Sequence, residues 1–107
     1  MQIKESLQRC QSVTEAMDLM IELCREHSFD KQGVLQIETE QQSLYYHIAK
    51  GIAKISPTQA DTVLQCTEQA AKDLLSGKLK PSLALLFGKV KLKGDKDLLL
   101  QIKKQLA

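Results

Sequence analysis

At 107 residues the chain is long enough for one domain, residues 1–107, with one modest core. Hydrophobic residues make up 43% of it, which excludes a disordered chain, and with 4% aromatic residues and no Trp the core must be filled by aliphatic side chains. The net charge of +2 divides into −3 over residues 1–53 and +5 over residues 54–107, which suits an anionic partner, although exposed Lys side chains give the same balance.

The first 28 residues are predicted to be helical. Ser12, followed three residues later by Glu15, has the form of a capping box, so a longer helix begins there after a short opening helix. From Val13 to His27 the apolar residues recur at three- and four-residue steps. This spacing predicts a one-sided helix whose apolar face contains Met.

After Gly33 the hydrophobic period changes to two, which predicts β-strands. We expect strands over residues 33–40, 44–48, 52–55 and 62–67, because apolar and polar residues alternate there between short turns. Strands that follow one another through short turns are typical of an antiparallel sheet.

The last third is predicted to contain two short helices, a strand and a final helix. Residues 70–76 form the first short helix, and Pro81 suits the first position of the second. Residues 89–93 alternate Lys with apolar side chains, which predicts a strand. Asp95 is a good N-cap for a final helix over residues 98–106. The chain is therefore predicted to be an α+β domain with helices on one face of a mainly antiparallel sheet.

Three stretches carry a family resemblance. Residues 60–64 read Ala-Asp-Thr-Val-Leu, residues 75–81 read Leu-Ser-Gly-Lys-Leu-Lys-Pro, and residues 87–95 read Phe-Gly-Lys-Val-Lys-Leu-Lys-Gly-Asp. They resemble the C-terminal half of the sterol carrier protein type 2 family, with its Gly-Lys-Leu-x-Pro and Gly-Lys-Leu-Lys-Ile-x-Gly-Asp patterns. Over residues 1–59 the likeness is one of layout, with Tyr45-Tyr46 where the family often has Trp.

This resemblance implies a five-stranded, mainly antiparallel sheet with helices on one face that enclose an apolar cavity. It also implies a non-catalytic carrier of fatty acids, fatty acyl-CoA or sterols. The residues then expected to contact a lipid tail are apolar side chains of the helices and strands, although sequence does not separate a cavity wall from a packed core. They are Met20, Leu23, Leu35, Ile37, Tyr46, Ile48, Leu75, Leu83, Leu86, Phe87, Leu99, Ile102 and Leu106.

A lipid in such a cavity has a hydrophobic tail that must be buried and a head group that must remain hydrated. A C16 chain that buries about 14 methylenes gains on the order of 11 kcal/mol before the costs of ordering and association. A charged head group must stay hydrated or paired. Arg25 is our first candidate for a carboxylate, with Lys31 and Gln32 after it. The alternative for Arg25 is an ion pair with a neighbouring Glu on its own helix.

Other classes of function find little support. His27 and His47 are far apart, and no nucleophile motif or phosphate loop accompanies them, so we expect no catalysis. Cys24 and His27 could supply two metal ligands, but a structural zinc site needs four, so we expect neither a metal nor a cofactor. The Lys-rich residues 78–96 lack Arg and interleaved aromatic residues, which argues against a nucleic-acid partner.

The remaining expectations concern location and partners. Three Cys without CxxC spacing, and no apolar leader or spanning run, predict a cytoplasmic protein, either a monomer or a weak dimer. The Lys-rich half is a candidate for transient contact with an anionic membrane. The alternative function is an accessory or dimerisation module that presents a lipid-like intermediate to a biosynthetic complex, with the final helix packed on a partner.

Overall fold

The computed structural model describes residues 9–104, which contain four helices and four strands. In chain order they are α1 (Val13–Leu23), β1 (Ser28–Glu38), β2 (Ser43–Ile55), β3 (Thr62–Cys66), α2 (Glu68–Ser76), α3 (Pro81–Leu86), β4 (Val90–Gly94) and α4 (Lys96–Lys104). The predicted α+β class is confirmed.

The strands form one sheet in the order β2-β1-β3-β4. β1 is antiparallel to β2, and β3 is antiparallel to β4, whereas β1 and β3 are parallel. A parallel pair cannot be joined by a tight turn. Here β2 and residues 56–61 make the connection, carrying the chain from one edge of β1 to the other.

The segments predicted as two strands, residues 44–48 and 52–55, lie in the single strand β2, so four strands hold what was expected in five. Gly51 does not end the strand, because its N–H donates to the His27 carbonyl oxygen at 2.6 Å and its φ of 78° bends the backbone. A Cβ atom there would lie 2.9 Å from the Arg25 carbonyl oxygen, so this approach requires glycine.

One face of the sheet is apolar and buried, and we call it the inner face. Strand pairing places Leu35 beside Tyr46 and Ile37 beside both Leu44 and Leu64. The opposite face is polar or half-exposed, as the alternation of each strand requires. The buried side chains of the inner face are Leu35, Ile37, Leu44, Tyr46, Ile48, Thr62, Leu64 and Val90.

The helices cover the inner face, as predicted. α1 packs on β2, α3 on β4, and α4 on β1 and β3, while α1 also packs against α2. One half of the predicted capping box of α1 is present, because Ser12 Oγ accepts from the Glu15 N–H at 3.1 Å. The Glu15 carboxylate accepts from the Gln11 N–H at 3.0 Å, one residue before the N-cap. The short opening helix predicted before Ser12 falls mostly outside the described residues.

Two of the three stretches that carry the family resemblance, residues 60–64 and 87–95, meet at Asp61. Its carboxylate accepts from the Val34 N–H at 2.8 Å, and its carbonyl oxygen accepts from the Asp95 N–H at 3.1 Å. The Thr62 hydroxyl donates to the Asp95 carbonyl oxygen at 2.6 Å. Gly94 has a φ of 84° and lies against the backbone of Asp61. A Cβ atom at this position would be 2.1 Å from the Asp61 carbonyl oxygen. This junction joins β1, β3 and the start of α4.

Glu68 makes a second junction at the opposite end of the sheet. Its side chain is buried, and its carboxylate accepts from the Val13 N–H at 3.0 Å, the Thr39 hydroxyl at 2.8 Å and the Gln42 amide at 3.3 Å. The Glu68 N–H donates to the Glu40 carboxylate at 2.9 Å. A carboxylate at the first N–H of α1 also complements the helix dipole. These bonds hold α1, α2 and the β1–β2 turn together.

Replacing Gly94 by Ala is expected to lower the free energy of unfolding by about 2–4 kcal/mol, because the added Cβ strains the backbone and collides with Asp61. Gly88→Ala is the matched control. Gly88 also has a positive φ, 69°, but a Cβ atom there meets nothing within 4 Å, so this change should cost only about 1 kcal/mol. Urea denaturation followed by circular dichroism measures both. Equal losses would contradict the role given to the contact at Asp61.

Candidate functional site

The candidate site is the apolar layer, defined as the buried side chains between the inner face of the sheet and the helices that cover it. Eight of the residues predicted to contact a lipid tail lie in one buried cluster within this layer. They come from both helices and strands, so the layer is continuous from α1 to α4. These residues are Met20, Leu35, Ile37, Tyr46, Ile48, Leu75, Leu99 and Ile102.

Four other predicted tail contacts lie on the surface. The exposed fractions are 45% for Leu23, 44% for Leu83, 75% for Leu86 and 68% for Phe87. In α3 the reason is geometric: the helix has six residues, and Ala84 is the one buried completely, so positions 83, 86 and 87 project away from the sheet. Leu106 lies outside the described residues.

The predicted head-group residues have partners of their own or lie exposed. Arg25 forms an ion pair with Glu22, which is the alternative stated from the sequence. Both side chains are exposed and lie with Leu23 and Glu26 around a small cleft of about 290 Å³. Two Glu beside a single Arg make this cleft a poor site for an anion.

Lys31 and Gln32 lie in β1. The Lys31 ammonium is 3.4 Å from the Asp95 carboxylate, and its backbone exchanges two hydrogen bonds with the Gln101 side chain. Gln32 is exposed. The contacts of Lys31 therefore fix β1 to α4 and leave one weak, exposed ion pair on the ammonium group.

The hydroxyl of Tyr46, which the sequence predicted as an apolar tail contact, lies unpaired among the described residues of this layer. Tyr46 is fully buried, and its hydroxyl is the one buried side-chain polar atom without a hydrogen-bond partner among residues 9–104. Burial, and after it the charge of Asp18, raises the pKa of Tyr46, so the hydroxyl keeps its proton. A Tyr on the apolar face of a predicted strand is the signal that could have drawn attention to it.

A larger cleft lies beside α2 and both ends of α3, and sequence reasoning did not find it. Its volume is about 490 Å³. Two Lys and one Asp line it together with small and apolar residues. The lining residues are Thr67, Gln69, Ala70, Asp73, Lys78, Leu79, Gly88 and Lys89.

Within the described part of the chain, neither a reactive thiol at Cys66 nor a metal-binding cluster is present. Burial, followed by the charges of Glu40 and Glu68, raises the pKa of Cys66 to about 11, which keeps it a thiol at neutral pH. Within residues 9–104 no three His, Cys, Asp or Glu side chains are placed to hold a metal ion. No helix in this range is long and apolar enough to cross a membrane.

Solved structures with the same fold come from proteins of several kinds. The stereoselective inverting sec-alkylsulfatase Pisa1 from Pseudomonas sp. is similar with a TM-score of 0.69 and 20% identity, over 86% of this chain and 16% of that one. Palmitated SCP2L2 from Aedes aegypti is similar with a TM-score of 0.62 and 17% identity, over 90% of this chain and 95% of that one. For UbiJ-SCP2, a ubiquinone synthesis protein, the TM-score is 0.56 and the identity 13%, over 97% and 85%.

At these identities the likeness shows the fold alone, and the chain spans about a sixth of the sulfatase's length. No curated protein sequence matches the chain. The family model of the SCP-2 sterol transfer family matches residues 29–107, well over half of the sequence. The chain therefore belongs to the SCP-2 sterol transfer family.

Proposed function

We propose that the chain is a non-catalytic cytoplasmic carrier that binds a fatty acid, a fatty acyl-CoA or a sterol in its apolar layer and transfers it between membranes. One observation carries the proposal: in a chain of a sterol transfer family, eight side chains expected to contact a lipid tail lie in one buried cluster. The lipid tail would part the helices from the sheet and replace contacts between them. Binding is then driven by apolar burial.

Entry of the lipid is assigned to the segment that contains α3. This helix has a single completely buried side chain, Ala84, and it lies between Gly77 and Gly88, whose φ values are 85° and 69°. Moving it away from β4 uncovers little apolar surface, so the opening costs little free energy. Once α3 is displaced, Leu86 and Phe87 are free to turn toward the lipid tail.

A charged head group fits the larger cleft better than it fits the residues first proposed from the sequence. Lys78 and Lys89 line this cleft, with Asp73 as its acidic residue. Arg25, by contrast, is paired with Glu22, and Lys31 lies beside Asp95. The cleft is open to water, so a carboxylate or phosphate there stays hydrated while its tail lies under the helices.

Membrane contact is assigned to the same segment. Residues 78–93 contain five Lys and no Asp or Glu, and they include the exposed side chains of Leu83, Leu86 and Phe87. Each Lys near an anionic membrane contributes about 1 kcal/mol, and apolar side chains beside them insert at the head-group level. Docking at this surface would bring the entry segment to the membrane.

The chain purified without detergent should carry a reproducible added mass in native mass spectrometry, and extraction should identify it as a fatty acid or a sterol. The stripped protein should take up a fluorescent polyene fatty acid saturably, at one molecule per chain, because the apolar layer is one continuous cluster. A clean protein that also fails to take up the fatty acid would contradict the carrier function.

Replacing Leu86 and Phe87 together by Ser should slow transfer of the fluorescent fatty acid to vesicles of phosphatidylcholine and phosphatidylserine about tenfold, because two inserting side chains are lost. High salt should slow the wild-type transfer as well. Leu23→Ser is the control, since Leu23 is exposed beside Glu22 and Glu26 and away from the Lys-rich segment. Equal rates for both variants would remove the membrane contact from the proposal.

A second candidate is an accessory module that presents a lipid-like intermediate to a biosynthetic complex. Two of the similar structures favour it. In the sulfatase the fold accounts for only 16% of an enzyme chain, and UbiJ-SCP2 is named as a ubiquinone synthesis protein. This function requires a stable complex with another protein and poor uptake of free fatty acid. The uptake experiment, run with analytical ultracentrifugation of the native complex, separates it from the carrier.

A further inference from the structure

The hydroxyl of Tyr46 lacks a partner in a place where such a partner is needed. Tyr46 is fully buried, and no described side chain or backbone group bonds its Oη. Buried polar groups are almost always paired, because an unpaired one has lost its water and gained nothing in return. A Phe at this position would fill the same space without that loss. Among residues 9–104 the hydroxyl is therefore left with a hydrogen bond to give to a bound molecule.

The surroundings of Tyr46 are apolar and adaptable. Across the strands its neighbours on the inner face are Leu35 and then Thr62, whose hydroxyl is already bonded to the Asp95 carbonyl oxygen. Above β2 lies α1, whose buried side includes Met17 and Met20. Unbranched Met side chains rearrange readily, so a ligand entering between α1 and β2 has side chains that can make room for it.

An anionic ligand group would find no positive partner at this position among the described residues. No Lys or Arg side chain that the structure describes is buried, so none is available inside the layer to pair with a carboxylate. Asp18, in α1, is close enough to act on Tyr46 electrostatically, and a second negative charge beside it would be repelled. A neutral oxygen, in a hydroxyl or a carbonyl group, suffers neither penalty and accepts a hydrogen bond from the phenol.

We propose that Tyr46 Oη donates a hydrogen bond to a neutral oxygen of the bound lipid, so that the chain selects lipids with a buried alcohol, ester or ketone group. This inference rests on the proposed function, because it assumes that a lipid occupies the apolar layer. An ionised fatty acid then binds in the opposite orientation, with its carboxylate in the solvent-exposed cleft lined by Lys78 and Lys89. It makes no hydrogen bond with Tyr46.

The test uses two fluorescent probes that differ only in the head group: a polyene fatty acid and the primary alcohol with the same chain. Each is titrated into wild-type protein, Tyr46→Phe and Tyr45→Phe. Tyr45 is the matched control, since it is the adjacent residue on the opposite, half-exposed face of the sheet. Thermal denaturation without ligand accompanies each titration.

Tyr46→Phe should weaken binding of the alcohol about five- to tenfold, which is the loss of one hydrogen bond, and should change binding of the acid by less than about twofold. Tyr45→Phe should change neither. Without ligand, Tyr46→Phe should melt at or above the wild-type temperature, because it removes an unpaired group. An unchanged affinity for the alcohol, or an equal loss for both probes, overturns the inference while leaving the carrier intact. A wild-type protein that binds neither probe overturns the proposed function and this inference together.

A second measurement follows the wild-type protein and needs a variant, Tyr45→Phe, only to assign its signals. The chain has two Tyr, so protein labelled with ¹³C at the tyrosine Cζ gives two signals, which Tyr45→Phe assigns. The Cζ shift reports hydrogen bonding of the phenol. The Tyr46 signal should move when the alcohol is added and stay nearly fixed when the acid is added. Equal movement with both probes would overturn the inference.

Discussion

The fold depends on one constraint: the sheet has a single apolar face, which the described helices must cover. Helices α1, α3 and α4 pack on the sheet, and α2 packs against α1. In β1 and β2 the apolar residues alternate with polar ones, so that slipping the register by one residue would turn Leu35 and Tyr46 to the solvent. The covering helices have six to eleven residues each. The side chains that stabilise the domain are thus the same ones proposed to hold a lipid, and short helices can part from the sheet in sections.

The residues that define the family build the scaffold, and the residues proposed to select the ligand lie elsewhere. Asp61 and Thr62 form the junction between β1, β3 and α4 through side-chain hydrogen bonds to backbone groups, and the close approach of Gly94 leaves no room for a Cβ atom. Tyr46, in contrast, belongs to β2 and takes no part in this junction. Because the junction and the apolar layer use different residues, the same fold can accept different apolar ligands. The same separation explains why membership in the family leaves the ligand of this chain open to experiment.

Sequence patterns correctly predicted the helix ends and strands that depend on neighbouring residues. The Ser12 half of the capping box and the alternation in β4 both appear as expected, and so does the N-cap at Asp95, whose carboxylate accepts from the Asp97 N–H. Predictions from the sequence were wrong where the structure depends on contacts between residues that are not neighbours in the chain. Gly51 continues a strand because its N–H donates to the His27 carbonyl oxygen, and Leu86 is exposed because α3 buries Ala84 completely and turns position 86 outward. The burial of eight expected tail contacts agrees with the periodicity of their helices and strands, whereas the unpaired hydroxyl of Tyr46 depends on which groups fold around it.

The central claim is that a lipid lies between the sheet and its helices, and intermolecular nuclear Overhauser effects test it most directly. With a saturating unlabelled fatty acid and protein labelled at Leu and Ile methyl groups, the acyl chain should show contacts to Leu35, Ile37 and Ile48, which are buried on the inner face. Leu23, exposed beside acidic residues, should show none. Contacts confined to Leu83 and Leu86 on the surface, with silent inner-face methyls, would contradict the account.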